Sequence, residues 1–208
     1  MKQKEREALL LEKMTLREKQ CWAAGELAAG MDEVGRGPLA GPVVVCALIL
    51  PADPLILGVN DSKKLSEKKR ERLYGEIVEQ AVCVGIGLRD EARIDDINIL
   101  EATREAFHEA FYQLSHKPHR VLSDAISGLN LPVHLETYVG GDSKSYLIAA
   151  ASIVAKVTRD HLMIDYASQY PEYGFERNKG YGTREHIEAL RQFGPCPIHR
   201  KSFIRKFV

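Results

Sequence analysis

Residues 30–45 read GMDEVGRGPLAGPVVV. Two acidic side chains, Asp32 and Glu33, stand directly before a Gly-Arg-Gly turn, and the apolar run that follows predicts a buried strand. Adjacent carboxylates repel each other, and burying charge without a partner is unfavourable. A divalent cation is the simplest partner for such a pair. The stretch therefore predicts a metal site at the end of a strand.

The size and composition of the chain are those of an ordinary globular domain. Its 208 residues are 45% hydrophobic and 28% charged, and 29 basic residues balance 29 acidic ones. The zero net charge gives no sign of a polyanionic partner, but the basic residues are clustered. The clusters comprise Lys63, Lys64, Lys68, Lys69, Arg70 and Arg72, and then His199, Arg200, Lys201, Arg205 and Lys206. Each is interpreted either as a solvated face or as a surface that follows a phosphate backbone.

The cysteines and the hydropathy of the chain indicate in which cellular compartment the protein is expected. The four cysteines are widely spaced and form no Cys-x-x-Cys pair, and Cys196 and His199 lack a second ligand pair, which argues against zinc. Free thiols in a reducing cytoplasm are therefore expected. Because no signal core and no run of 18 apolar residues occurs, we expect a soluble cytoplasmic protein without a membrane partner, monomeric by default.

Hydrophobic periodicity predicts a mixed α/β sheet covered by helices. Strands are predicted at Met31, 43–50, 82–88, 120–124 and 133–139, and helices from Ser66 to about Gln80, from an Asn98 N-cap to Lys117, over 145–168 and over 183–193. The charged residues 1–29 predict a helical extension docked on a domain of residues 30–208, whose C-terminal part is helical.

Acidic residues follow other strands as well. Asp124 closes the 120–124 strand, and Asp142 lies in a Gly-Gly-Asp-Ser loop before the long helix. Taken alone, the first could begin a turn and the second could favour a helix N-terminus. Ends of neighbouring strands converge, however, and carboxylates there suit Mg²⁺ or Mn²⁺. Two such ions, roughly 3.5–4 Å apart, support phosphodiester hydrolysis.

Several motifs together resemble ribonuclease HII. They are DEVGRGPLAGP from Asp32, DSKKLS from Asp61, GDSK from Gly141 with AAASIVAKVTRD ending at Asp160, and KGYGT from Lys179. They occur in the order and spacing of that family, from about residue 28 to the tail. The resemblance implies an RNase H-like fold and an endonuclease that hydrolyses the RNA strand of RNA–DNA hybrids and cuts at single ribonucleotides embedded in duplex DNA. It also implies two-metal-ion hydrolysis that leaves 5′-phosphate and 3′-hydroxyl ends.

The resemblance also assigns metal ligands. Asp32, Glu33, Asp124 and Asp142 match the family's four carboxylates, which bind Mn²⁺ or Mg²⁺. Asp160, the rival for the fourth place, lies far along the helix and is assigned with Arg159 to a structural ion pair.

Substrate contacts follow in the same way. Gly35, Arg36 and Gly37 match the turn that grips the ribonucleotide, and Tyr181 matches the tyrosine beside the cleaved bond. The remaining contacts, to backbone phosphates, are expected from Lys63, Lys64, Arg200 and Lys201. Two positions depart from the family pattern: Ala125 replaces a usual glycine, and Asn178 excludes a titrating imidazole.

Three alternatives remain open at this stage. Ribonuclease HIII carries a larger N-terminal domain than the residues before Met31 would supply. A hybrid-binding module without catalysis would use the basic clusters alone, and a general metal-dependent phosphodiesterase would also cut DNA. No terminal motif indicates whether a sliding clamp is a partner.

Overall fold

A five-stranded mixed sheet forms the centre of the computed structural model, which describes residues 3–208. Its strands are β1 (Ala28–Val34), β2 (Val43–Ile49), β3 (Cys83–Arg89), β4 (Arg120–Asp124) and β5 (His134–Tyr138). Their order across the sheet is β3-β2-β1-β4-β5. The antiparallel pairs are β1 with β2 and β2 with β3, whereas β1–β4 and β4–β5 are parallel. The predicted mixed α/β sheet is confirmed.

Helices cover both faces of this sheet. They are α1 (Gln3–Met14), α2 (Leu16–Ala23), α3 (Glu67–Gln80), α4 (Glu91–Tyr112), α5 (Tyr146–Gln169), α6 (Phe175–Asn178), α7 (Arg184–Phe193) and α8 (Lys201–Ile204). On one face α5 packs so closely on β1 that a Cβ at Gly30 would lie 2.6 Å from Leu147 Cβ. On the other face Gly85 and Gly87 give α4 similar room. Every residue of β2 is buried between these layers.

The predicted helix boundaries are close to the observed ones, except in α4. Ser66 accepts a hydrogen bond from the Lys69 amide, as expected of an N-cap. The helix predicted to begin at Asn98 starts earlier, at Glu91, with Asp90 as its N-cap. Asn98 has a positive φ of 68°, and its side chain caps the part of α4 that follows it. The part of α4 before Asn98 lacks a strong apolar stripe, so the sequence pattern did not predict it. The helix also ends at Tyr112, before the predicted stop at Lys117.

The N-terminal residues form two helices that lie against the main body. Leu11, Met14 and Cys21 are buried in the apolar cluster that also contains much of α5. Strand β1 begins at Ala28, and the division of the chain at residues 29 and 30 stays a prediction. None of the described helices combines the length and the apolar character that crossing a bilayer requires. The described cysteines, Cys21, Cys46, Cys83 and Cys196, are free thiols.

Candidate active site

Parallel pairing brings Asp32 and Asp124 to the same edge of the sheet. The register of β1 and β4 matches Met31 with Ser123, so the residue that follows each of these is an aspartate. Side chains alternate along a strand, and Asp32 therefore faces the same side as Gly30, toward α5. Glu33, the next residue, alternates to the opposite side.

The Asp32 carboxyl is buried among other acids. It is 5% exposed, and burial raises its pKa well above the ordinary value. The negative charge of Glu33 raises this pKa further, as do the charges of Asp124 and Asp142, whereas a hydrogen bond from Ser152 lowers it. The structure thus brings three of the predicted carboxylates, Glu33, Asp124 and Asp142, within electrostatic reach of the fourth, Asp32.

Glu33 has one cationic neighbour and one unsatisfied oxygen. Burial raises its pKa, and the charge of Arg36, whose Nη1 lies 3.3 Å from Glu33 Oε1, lowers it. Glu33 Oε2 is buried without a hydrogen-bond partner. A buried carboxylate oxygen in this state is unfavourable unless a cation reaches it. The site therefore fits a divalent ion, for which carboxylate oxygens are suitable ligands.

Asp124 anchors the turn that carries Asp142. Its Oδ1 accepts hydrogen bonds from the amides of Ala125 (2.7 Å), Gly140 (3.0 Å) and Gly141 (3.2 Å). Ala125 has no left-handed φ, and its side chain is exposed, so the alanine fits where the family pattern has glycine.

Asp142 is 5% exposed and lies beside a lysine from another segment. Lys63 Nζ is 3.3 Å from Asp142 Oδ2, and although burial lowers the pKa of Lys63, the negative charge of Asp142 raises it overall. Lys64 is exposed and instead pairs with Asp61 at 3.3 Å. Within residues 3–208, no three His, Cys, Asp or Glu side chains are already gathered as a metal site, so a bound ion would have to draw the carboxylates together.

Two serines that the sequence analysis did not single out support the acids. Ser62 Oγ and Ser152 Oγ are 2.9 Å apart and buried, and Ser152 also bonds to Asp32. This link explains why the DSKK motif lies at the site. The available signal was Ser152 itself, a hydroxyl within the apolar run of α5.

Arg200 does not lie where a phosphate could reach it, and the prediction of a direct phosphate contact is wrong. Its side chain is fully buried and donates to the carbonyl oxygens of Gly35 (2.6 Å), Arg36 (3.0 Å) and Gly41 (2.7 and 2.9 Å). Arg200 therefore shapes the Gly-Arg-Gly turn from behind. Lys201, the next residue, is exposed.

Arg159 has a similar structural role, and the predicted Arg159–Asp160 ion pair is also wrong. Asp160 pairs with Lys156 at 2.5 Å, one helical turn away. Arg159 is fully buried and donates to the carbonyl oxygens of Ala40, Pro42 and Lys179 at 2.8–3.0 Å. It joins the segment after the first glycine turn to the segment that carries Tyr181.

Tyr181 is exposed in the second glycine turn, and its ring centroid lies 5.9 Å from Arg159 Cζ. Asn178 supports this turn: its side chain accepts from the Gly180 amide and donates to the Tyr173 carbonyl. The amide thus performs a structural task that needs no titrating group. Leu39 donates from its backbone to the Gly180 carbonyl at 2.8 Å, which brings the two turns together.

A buried histidine pair lies behind Tyr181. His186 Nδ1 is 2.9 Å from the Tyr181 carbonyl oxygen and must donate to it, so His186 Nε2 accepts from His199 Nε2 at 3.0 Å. His199 Nδ1 then accepts from the Cys196 amide. Burial lowers the pKa of His199 to about 4, and the neighbouring His186 adds to the shift. Both imidazoles are neutral in this arrangement.

Comparison with known proteins gives consistent matches. The family model described as Ribonuclease HII matches residues 29–206. Ribonuclease HII of Lachnoclostridium phytofermentans is 57% identical over 179 residues, which cover 86% of this chain and 70% of the relative. Ribonuclease HII of Caldanaerobacter subterraneus is 50% identical over 205 residues, which cover 98% of this chain and 85% of the relative.

Solved structures have the same architecture. Ribonuclease H2 from Pyrococcus horikoshii superposes with a TM-score of 0.74 at 28% identity, covering 86% of this chain and 96% of that one. RNase HII in its PCNA complex from Archaeoglobus fulgidus gives 0.73 at 27% identity, with coverages of 84% and 94%. Bst-RNase HIII in complex with Mn²⁺ gives 0.61 at 18% identity, covering 81% and 63%, which is a likeness of fold alone.

Proposed function

This chain belongs to the ribonuclease HII family, and from that premise we propose that it cuts DNA duplexes at single embedded ribonucleotides as well as acting, as a ribonuclease H, on RNA–DNA hybrids. The proposed products carry 5′-phosphate and 3′-hydroxyl ends. The proposed cofactor is a divalent cation, Mn²⁺ or Mg²⁺.

One observation carries the metal assignment. Asp32 is buried, and its pKa is raised by burial and by the charges of Glu33, Asp124 and Asp142. Such a concentration of negative charge is unfavourable without a cation, and Glu33 Oε2 lacks any protein partner. Asp32, Glu33, Asp124 and Asp142 are the residues proposed to hold the ions.

The chain's own groups would prepare the reaction. Bound divalent ions supply a water of lowered pKa and stabilise negative charge on the departing 3′-oxygen. Asp124 fixes the turn of Asp142 through the Gly140 and Gly141 amides. Lys63, beside Asp142, supplies positive charge where a phosphate would enter.

Recognition of the ribonucleotide is proposed for the two glycine turns. Gly35, Arg36 and Gly37 would approach the 2′-hydroxyl, which distinguishes RNA from DNA. Tyr181, which is exposed and is joined through Arg159 to the segment after the first turn, would pack against the nucleotide next to the cleaved bond. Lys64 and Lys201 are exposed and remain proposed phosphate contacts. Arg200 acts through the carbonyl oxygens that it binds.

A cleavage assay on three labelled duplexes tests this function. The duplexes are an RNA–DNA hybrid, a DNA duplex with one ribonucleotide, and an all-DNA duplex, each with Mg²⁺, with Mn²⁺ or with EDTA. We expect metal-dependent cutting of the first two and none of the third. Binding without cleavage would support the non-catalytic module instead, and equal cutting of DNA would support a general phosphodiesterase.

A further inference from the structure

The N-terminal extension sends a buried carboxylate into the start of α5. Glu18, in α2, is fully buried. Its Oε1 accepts a hydrogen bond of 2.5 Å from Ser145 Oγ and another of 3.1 Å from the Leu147 amide. The N-terminus of a helix favours such a negative group, because its first amides have no partner within the helix.

Capping alone does not account for this glutamate. Ser145 is already the N-cap of α5 and accepts from the Ile148 amide at 3.2 Å. The second oxygen of Glu18, Oε2, is buried without a partner, and burial raises the pKa of the carboxyl. An unpartnered buried carboxylate oxygen lowers stability, so the residue is better explained by the geometry that it imposes.

That geometry concerns the turn of Asp142. The Ser145 amide donates to the Gly141 carbonyl at 2.9 Å, which ties the point held by Glu18 to the residue before Asp142. Gly140 and Gly141 in turn donate to Asp124 Oδ1. A short chain of hydrogen bonds therefore runs from Glu18 through Ser145 to the turn between two of the carboxylates.

Arg17 binds the chain on the other side of the turn that bears Asp142, in β5. Its Nε donates to Glu136 Oε2 in β5 at 2.8 Å, and Nη2 contacts Glu136 Oε1. Glu136 also accepts from Tyr138, the last residue of β5, at 2.8 Å. The consecutive residues Arg17 and Glu18 thus bind the chain before and after residues 139–144.

We propose that Glu18, assisted by Arg17, is a positioning residue that sets the turn bearing Asp142 and so tunes the affinity of the carboxylate site for divalent cations. The extension then completes the metal site without contacting the ion. This inference rests on the proposed function for its metal, but the placement of the turn can be measured independently.

The test compares full-length Glu18→Ala, Glu18→Gln and Glu12→Ala, the last removing an exposed glutamate of the same extension. Mn²⁺ affinity is measured by titration calorimetry on protein free of nucleic acid, and amide hydrogen exchange is followed at Gly140, Gly141 and Leu147. Removing a residue that holds a metal ligand in place without contacting the metal weakens metal binding by roughly 10-fold or more. We expect Glu18→Ala to weaken Mn²⁺ binding by about 10-fold and to accelerate exchange at these amides.

The controls separate positioning from general stability. Glu18→Gln keeps an oxygen that accepts both hydrogen bonds and should retain most of the affinity, and Glu12→Ala should match the wild type. If Glu18→Ala fails to fold, Arg17→Gln takes its place, because Glu136 keeps Arg120 and Tyr138 as partners.

The outcomes are distinct. Unchanged exchange at Gly140 and Gly141 in Glu18→Ala would overturn the proposal, as would a rise only in the KM for the hybrid with Mn²⁺ affinity preserved. A wild-type protein that binds no Mn²⁺ would contradict the metal assignment and the tuning with it. The exchange data would still show whether Glu18 sets the turn.

Discussion

Arg200 Nη2 donates to the carbonyl oxygen of Gly35 over 2.6 Å, although 165 residues separate the two along the chain. The same guanidinium binds the Arg36 and Gly41 carbonyl oxygens, and burial lowers its pKa to about 9. A buried cation thus fixes the backbone of the turn proposed to read the ribonucleotide.

Replacing Arg200 by lysine should remove hydrogen bonds that hold the backbone of this turn. An ammonium cannot reproduce the planar fork, and lost charge-assisted hydrogen bonds cost about 1.5–3 kcal/mol each when buried. We expect Arg200→Lys to unfold at lower urea concentration and to lose preference for ribonucleotide over all-DNA substrate. Arg205→Lys, an exposed position in the same tail, is the control. Unchanged preference in Arg200→Lys would contradict this role.

The two glycines of the turn should respond differently to alanine. Gly35 has φ +93°, and a Cβ there would lie 2.7 Å from both Arg159 Cδ and the Pro42 carbonyl oxygen, whereas a Cβ at Gly37 meets nothing within 4 Å. Gly35→Ala should therefore lose at least about 2 kcal/mol of unfolding free energy, and Gly37→Ala should lose little. Urea unfolding measures both. Equal losses of unfolding free energy in the two variants would show that Gly35 is not packed closely against Arg159 and Pro42.

The histidine pair should make stability depend on pH. His199 has an ordinary pKa of 6.5 that the fold lowers to about 4, so the stabilisation is complete above pH 6.5 and is lost as the pH falls toward 4. We expect a loss of roughly 2 kcal/mol between pH 7 and 4.5 by urea unfolding, reduced in His199→Gln. His116→Gln, at an exposed position, should retain it. An unchanged pH profile in His199→Gln would refute the assignment.

With metal removed by EDTA, Asp32 should make stability depend on pH in the opposite direction. Its pKa is raised in the fold, so folding disfavours the ionised form, and stability falls as the pH rises from the ordinary 3.8 through the raised value. Asp32→Asn should therefore melt higher than the wild type at pH 8, and the gap should narrow as the pH falls toward 3.8. Mn²⁺ should stabilise only the wild type. A lower melting temperature of Asp32→Asn than of the wild type at pH 8 in EDTA would contradict the claim that the fold disfavours the ionised form of Asp32.

Local sequence patterns accounted for the sheet and most helices. The all-apolar β2 and the caps at Ser66, Ser145 and Thr183 have strong short-range signals, and the observed elements begin beside them. The first segment of α4 was missed because the helix kinks at Asn98, and the sequence pattern cannot distinguish such a kink from a helix start.

The burial of basic residues was harder to predict. Arg200 looks like a surface cation in the sequence, because an arginine is usually exposed, and Arg159 looks like the ion-pair partner of its neighbour Asp160. Their interior position depends on carbonyl oxygens from distant segments, and no local pattern reports those. The partner of Glu18 is likewise remote, since Ser145 lies 127 residues away.

The most direct test of the carboxylate site is cleavage of a duplex containing one ribonucleotide by Asp32→Asn, Asp124→Asn and Asp142→Asn at saturating Mn²⁺, beside Asp160→Asn, which alters an acid that pairs with Lys156. We expect each of the first three to lose at least about 100-fold in rate while remaining folded, and Asp160→Asn to keep substantial activity. Near-normal cleavage by any of the first three would contradict the account.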